Sequence, residues 1–200
     1  MHQYKGRMII HTGSMFSGKT SSLEKDLKRF SIANYKVMAF KPIVDKRYSH
    51  KEIVTHDKIS LKAQLVESSS DILKEVEKNS PQVVGIDEVQ FLKDKPEEVL
   101  KNIEKILSMG ITVVIAGLDM DYTAHPFEIV KELMPKADYL NKHHAVCKKC
   151  GADAWVSHRK IQSDKRVELG AVEEYEPLCR TCYKEAIRVD KLNKNQEKFI

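Results

Sequence analysis

The chain reads as an α/β protein: a mostly parallel sheet with helices on both faces, followed by a small C-terminal subdomain of different character. Three features carry that reading. Short apolar runs alternate with stretches of helical periodicity through the first 140 residues. The pattern stops beyond about Asn141. All four cysteines then follow, in two pairs after position 146. With 200 residues and 23.0 kDa, the chain has room for one to two domains. Leu, Ile, Val and Phe make up about 26% of it, above the roughly 20% floor below which chains tend to stay disordered.

Each element has a local reason. Arg7–Thr12 is an apolar run that ends in Gly13, a buried strand. Thr20–Ala33 carries Leu23, Leu27 and Phe30 at i, i+4 and i+7, one face of a helix. Lys36–Lys41 is a second short strand, closed by Pro42. Ile43–Ser60 is polar and irregular, a segment expected to be mobile and to close on a ligand. Ser70, followed by Asp71, Ile72, Leu73 and Val76, looks like a capped helix start. Val83–Asp87 is a third strand. Pro96 opens the next helix, Val99, Ile103, Ile106 and Leu107 form its stripe, and Gly110 stops it. Thr112–Leu118 is a strand rich in β-branched residues. The tail Lys191–Ile200 is polar and expected to fray.

The longest apolar run, Ile111–Leu118, is far short of the ~20 residues needed to span a bilayer. The first ten residues lack a signal peptide's apolar stretch and cleavage site. A soluble intracellular protein is expected. Thirty-four Lys and Arg against 29 Asp and Glu leave +5, which suits an anionic ligand and an ordinary soluble surface equally.

Gly13-Ser14-Met15-Phe16-Ser17-Gly18-Lys19-Thr20 satisfies G-x-x-x-x-G-K-[ST], between a strand and a helix. The glycines let the backbone curl so that its N–H groups point at phosphate oxygens, and the helix start adds positive charge. Lys19 is expected to reach the β and γ phosphates, and Thr20 to help hold Mg²⁺. At average composition this pattern arises by chance in fewer than about one in a hundred chains of this length. Val83–Asp87 delivers Asp87 and Glu88 at a strand's carboxyl end, where ligands of open α/β sheets bind. Asp87 would hold Mg²⁺ through water, and Glu88 would act on the attacking group.

Cys147-Lys-Lys-Cys150 and Cys179-Arg-Thr-Cys182 are CxxC pairs separated by 28 residues. Paired two-residue bites suit tetrahedral zinc, and with four thiolates no position stays open, so the zinc would be structural. Disulfides and a redox site fit less well in a chain of this kind.

These residues together resemble the type II thymidine kinases, the cytosolic class with a zinc-bearing C-terminal lobe. GSMFSGKT at 13–20, KPIVDKRYS at 41–49, IDEVQF at 86–91, GLDMDYTAHPF at 117–127 and the two Cys segments carry the resemblance. It implies a P-loop NTPase fold of the RecA-like kind, with residues 1–140 as the ATP-binding domain. Residues 141–190 would form the zinc lobe, and 191–200 a polar tail. The implied activity transfers the γ-phosphate of ATP to the 5′-hydroxyl of thymidine, or of deoxyuridine, in nucleotide salvage for DNA synthesis. Glu88 takes the place of the catalytic base. Gly13, Ser14, Met15, Phe16, Ser17, Gly18, Lys19 and Thr20 match the ATP site, with Asp45, Arg47, Asp87, Glu88, Val89 and Gln90. Met15, Phe91, Leu118, Tyr122, Phe127, Ser157, Arg159, Glu168, Leu169, Gly170 and Tyr175 match positions around the nucleoside. Glu168–Tyr175 corresponds to the family's lasso, which closes over the nucleoside and holds the base largely through backbone groups. Ala171 stands where the family typically has a second Gly, and a β-carbon there restricts a left-handed backbone. A homotetramer, feedback inhibition by thymidine triphosphate and a cytoplasmic location are likewise implied, with no nucleic-acid or membrane partner.

Two other readings stay open on the residues themselves. One is a nucleic-acid-stimulated ATPase using Lys148, Lys149, Arg159, Lys160, Lys165 and Arg166 as phosphate contacts. Acidic residues at 168, 173, 174 and 176 interrupt that basic face. The other is a kinase for a different nucleoside; a structural zinc-binding adaptor that only holds nucleotide would leave Glu88 unexplained.

Overall fold

The computed structural model describes residues 5–43, 62–161 and 174–197. They form two compact units. Of the described residues, the first comprises 5–12, 19–43, 62–119 and 127–142, and the second 13–18, 120–126, 143–161 and 174–197.

The first unit is built on a six-stranded sheet. In chain order its elements are β1 (Met8–Gly13), α1 (Lys19–Ile32), β2 (Val37–Pro42), β3 (Ala63–Val66), α2 (Ser69–Asn79), β4 (Val83–Ile86), α3 (Pro96–Ser108), β5 (Thr112–Leu118), α4 (Glu128–Leu133) and β6 (Tyr139–His143). The strand order is β3-β2-β4-β5-β1-β6. β2 runs parallel to β3 and β4, and β4 parallel to β5, so this is the mostly parallel α/β sheet that the alternation predicts.

The helix periodicity of α1 has a direct consequence. Leu23 and Leu27, four residues apart and fully buried, pack on Ile9, Ala39, Val83, Val114 and Ala116. Each such leucine stabilises the fold by roughly 1.5–3 kcal/mol. The pleat turns Ile10, Val84, Ile86, Val113 and Ile115 the other way, and they are buried too. α3 lies against β5, and α2 against β3 and α3.

Register positions the chemistry. Phe40 pairs with Ile86, so Lys41, the next residue of β2, lies beside the point where the chain leaves β4 at Asp87. β5 ends at Leu118, followed by Asp119.

In the second unit, β7 (Val156–Arg159) pairs antiparallel with β8 (Tyr175–Leu178), and α5 (Arg180–Glu197) follows. Its core is Cys147, Val156, Leu178, Cys182, Tyr183 and Ala186. Trp155 meets Tyr183 edge-on at 5.9 Å, and the Arg180 guanidinium lies 3.9 Å over the Trp155 ring.

Several sequence expectations are corrected. α2 is capped by Ser68, not Ser70: Ser68 accepts from the Asp71 N–H, and Asp71 returns the bond to the Ser68 N–H. That reciprocal box needs an acid three residues after the cap, a spacing only Ser68 has among the three serines. α1 starts one residue earlier than expected and ends at Ile32. β3, α4, β6, β7, β8 and α5 are additions to the elements read from the sequence, and α5 continues to Glu197, into the segment expected to fray. The expected mobile segment lies, apart from Ile43, outside the described residues. Among the described residues, no helix is long and apolar enough to cross a membrane.

Candidate active site

The loop Gly13–Gly18 belongs to the second unit. Gly13 (φ 137°), Phe16 (φ 63°) and Gly18 (φ 82°) all have positive φ, which makes the backbone curl. At Gly13 there is also no room: a Cβ would fall 2.1 Å from the His143 carbonyl oxygen. The Ser17 hydroxyl donates to the Ser14 carbonyl at 2.8 Å, closing the turn, and Ser14 is buried while Phe16 is exposed. The Met15 N–H donates to Ser157 Oγ at 2.8 Å. This differs from the expectation that successive loop N–H groups face phosphate, because Ser157 on β7 claims one of them. On the same strand Arg159 is buried, with its guanidinium 3.6 Å over the Tyr122 ring, and it pairs with Tyr175 across the ladder. Tyr183 supports this group by donating its hydroxyl to the Tyr122 carbonyl at 3.0 Å.

The first unit holds the charged residues. Lys19 begins α1 and is buried, which lowers its pKa; Glu88, Asp119 and Asp87 oppose that shift. The Thr20 hydroxyl donates to Asp87 Oδ1 at 3.1 Å, and the Glu88 N–H donates to the same oxygen at 3.0 Å. Asp87 is 2% exposed. Burial, and then the charge of Glu88, push its carboxyl up to about 6, against Lys41 and the Thr20 hydroxyl. Glu88 has φ 52° and ψ 40°, a left-handed backbone that costs a non-glycine residue on the order of 1–3 kcal/mol. That conformation ends β4 abruptly and starts a 3₁₀ turn, Val89–Phe91. Strain of this kind collects at functional positions.

The turn fixes the neighbouring residues. Val89 is buried, and the Gln90 amide bonds to both the Glu88 carboxylate and the Leu118 N–H. Phe91 and Phe127 meet edge-to-face, with centroids 6.2 Å apart. The structure therefore brings together Lys19, Thr20, Asp87, Glu88, Gln90 and Leu118, and pairs Phe91 with Phe127. Asp45, Arg47, Glu168, Leu169 and Gly170 lie outside the described residues.

Three charged residues escaped the sequence reading. Lys41 Nζ is 3.7 Å from Asp87 Oδ2, and Lys142 Nζ is 3.0 Å from Asp119 Oδ2. Asp119 is itself buried, and its charge acts on Lys19. The signal was positional: Lys41 is the penultimate residue of β2 and Asp119 directly follows β5, but only the strand order shows which ends are adjacent.

The four cysteines form a cluster in the second unit, their Sγ atoms all within 4.8 Å of one another. Four thiolates at about 2.3 Å from one zinc ion would stand about 3.8 Å apart. Cys150 Sγ and Cys179 Sγ are 3.6 Å apart, so the set fits that ion. Burial opposes a Cys147 thiolate, yet the N–H groups of Cys179, Cys150 and Lys149 bring it down to about 6. Cys182 is pushed up to about 12, first by its hydrogen bond with Cys179.

Comparison with known proteins identifies the family. The thymidine kinase family model matches residues 6–183. The thymidine kinase of Bacteroides thetaiotaomicron is 45% identical over 179 residues, covering 90% of this chain and 87% of the relative. That of Porphyromonas gingivalis is 43% identical over 180 residues, covering 90% and 86%. That of Rhodothermus sp. is 42% identical over 178 residues, covering 89% and 81%. With its phosphate-loop motif, its buried Asp87 followed by Glu88 and a match of this extent, the chain belongs to the thymidine kinase family.

Proposed function

We propose that this protein is a thymidine kinase, transferring the γ-phosphate of ATP to the 5′-hydroxyl of thymidine, and of deoxyuridine, in nucleotide salvage for DNA synthesis. The observation that carries the reading is the Asp87–Glu88 pair at the end of β4, linked to Thr20 and acting on buried Lys19, in a chain of this family. Glu88 accepts the proton of the 5′-hydroxyl as its oxygen bonds to the γ-phosphorus. The bond from that phosphorus to the β–γ bridging oxygen breaks, and ADP leaves with the electron pair. Lys19 balances the charge on the β and γ phosphates, and Gly13–Gly18 supplies N–H groups to them. Asp45 and Arg47 are assigned to the phosphates by resemblance.

A buried carboxylate whose cation, Lys41, stands no closer than 3.7 Å suits a further positive charge. Thr20 and Asp87 are the residues to hold Mg²⁺, which when bound screens phosphate charge. The four cysteines hold structural zinc. Phe91, Leu118 and Phe127 supply apolar contact to the nucleoside, and Met15, Tyr122, Ser157, Arg159 and Tyr175 are assigned to it by resemblance. Residues 168–170 would read the base edge through backbone groups. A homotetramer, inhibition by thymidine triphosphate and a cytoplasmic location complete the proposal by resemblance alone.

The test is ADP production with thymidine, with other nucleosides and with single-stranded DNA. Turnover that depends on thymidine and ignores DNA supports the reading. Turnover that depends on DNA, or on another nucleoside alone, overturns it.

A further inference from the structure

The Gln90 side chain joins the Glu88 carboxylate to the backbone of Leu118. Its Nε2 donates to Glu88 Oε2 at 2.5 Å, and its Oε1 accepts the Leu118 N–H at 3.1 Å. The partners set the orientation: a carboxylate only accepts and a peptide N–H only donates, so the amide stands one way round. Gln90 is 7% exposed, which leaves little water to compete for either bond.

The chain is shaped for this contact from both sides. The left-handed backbone of Glu88 and the 3₁₀ turn behind it, closed by the Phe91 N–H to the Glu88 carbonyl at 3.0 Å, bring residue 90 back toward residue 88. On β5, Gly117 makes the space. A Cβ there would stand 2.9 Å from Gln90 Oε1 and 2.9 Å from Val89 Cγ1.

We propose that Gln90 is a positioning residue for phosphoryl transfer: it fixes Glu88 Oε2, leaves Oε1 to receive the 5′ proton, and ties the acid to the backbone of Leu118. This rests on Glu88 being the base, and it gives Gln90 a task other than the phosphate contact that resemblance assigns. Tethering matters because a carboxylate on three rotatable bonds is otherwise spread over several positions. Misplacing a reacting group by about 1 Å costs on the order of 10²-fold.

The experiment measures kcat and both KM values on the full chain with zinc and Mg²⁺. Gln90→Met keeps the length of the side chain and loses the amide. Gly117→Ala keeps the amide and removes its space. Each is made alone and in a Glu88→Gln background, where turnover is followed as single-turnover product formation. Gln90→Met is expected to lower kcat roughly 10–100-fold with the ATP KM within about twofold. Gly117→Ala should repeat that loss, and neither should lower the rate of Glu88→Gln further. Unchanged kcat in both single variants overturns the proposal. So does a raised ATP KM at full kcat, or a loss that is undiminished without Glu88. Should Gln90→Met not fold, the Gly117→Ala pair decides the matter in the same way. Full turnover by Glu88→Gln alone would instead refute the base assignment, an outcome read separately from the Gln90 measurements.

Discussion

Asp87→Asn separates what a buried charge costs from what it is for. In the folded chain the Asp87 carboxyl is pushed from 3.8 up to about 6, chiefly by burial and then by Glu88. Two pKa units at about 1.4 kcal/mol each set an upper bound near 3 kcal/mol. Part of that belongs to the interaction with Glu88, so the expected gain is on the order of 1–3 kcal/mol. The sign follows from proton counting. Between the unfolded value near 4 and the folded value near 6, the folded state holds the extra proton. Stability therefore falls as pH rises through that window, and the full cost persists above it. Asn carries no charge, while its amide oxygen can still accept from Thr20 and the Glu88 N–H. Urea unfolding of both proteins, zinc-loaded and in Mg²⁺-free buffer, measures the difference. Asp87→Asn should be more stable at pH 7.5, with a smaller advantage at pH 5. An Asn variant equally or less stable at pH 7.5, or one whose advantage grows toward pH 5, refutes the argument.

Glu88→Gln should bind ATP and thymidine with near-normal affinity by calorimetry while losing about 10²–10⁴-fold in turnover; undiminished turnover removes Glu88 as the base. Cys150→Ser takes one thiolate from the cluster, so bound zinc measured by mass spectrometry should fall, with early protease cuts within residues 143–197. Normal zinc content and an unchanged cleavage pattern would deny the cluster that role. Tyr183→Phe deletes the hydroxyl bond to the Tyr122 carbonyl and should cost about 1 kcal/mol in unfolding free energy. No measurable cost would mean that the bond does not hold the Tyr122 segment.

What the sequence shows and what it hides divide along physical lines. α1, α3, β1, β4 and β5 were legible because each buries a regular apolar pattern, and their ends carry punctuation such as Pro96 and Gly110. β6 was not, since its residues are mostly exposed and it joins the sheet through its backbone. β7 is buried at all four positions, so it shows no alternation either. The site divides in the same way. Residues 13–20 and 86–91 are contiguous, and their chemistry is written in local spacing. Lys41, Asp119 and Lys142 become partners of the site only through strand order, which no local pattern encodes. The Gln90 contact needed both a left-handed Glu88 and a missing side chain at Gly117 to become visible.

The most direct test follows the labelled phosphoryl group. Wild-type and Glu88→Gln proteins are incubated with γ-labelled ATP and thymidine, and the products are separated and located by phosphorus NMR. The wild type should place the label on the 5′-oxygen of thymidine, with one ADP formed per nucleotide, while Glu88→Gln forms the same product about 10²–10⁴-fold more slowly. Label released as inorganic phosphate whether or not thymidine is present, or attached at the 3′-oxygen, would contradict the account.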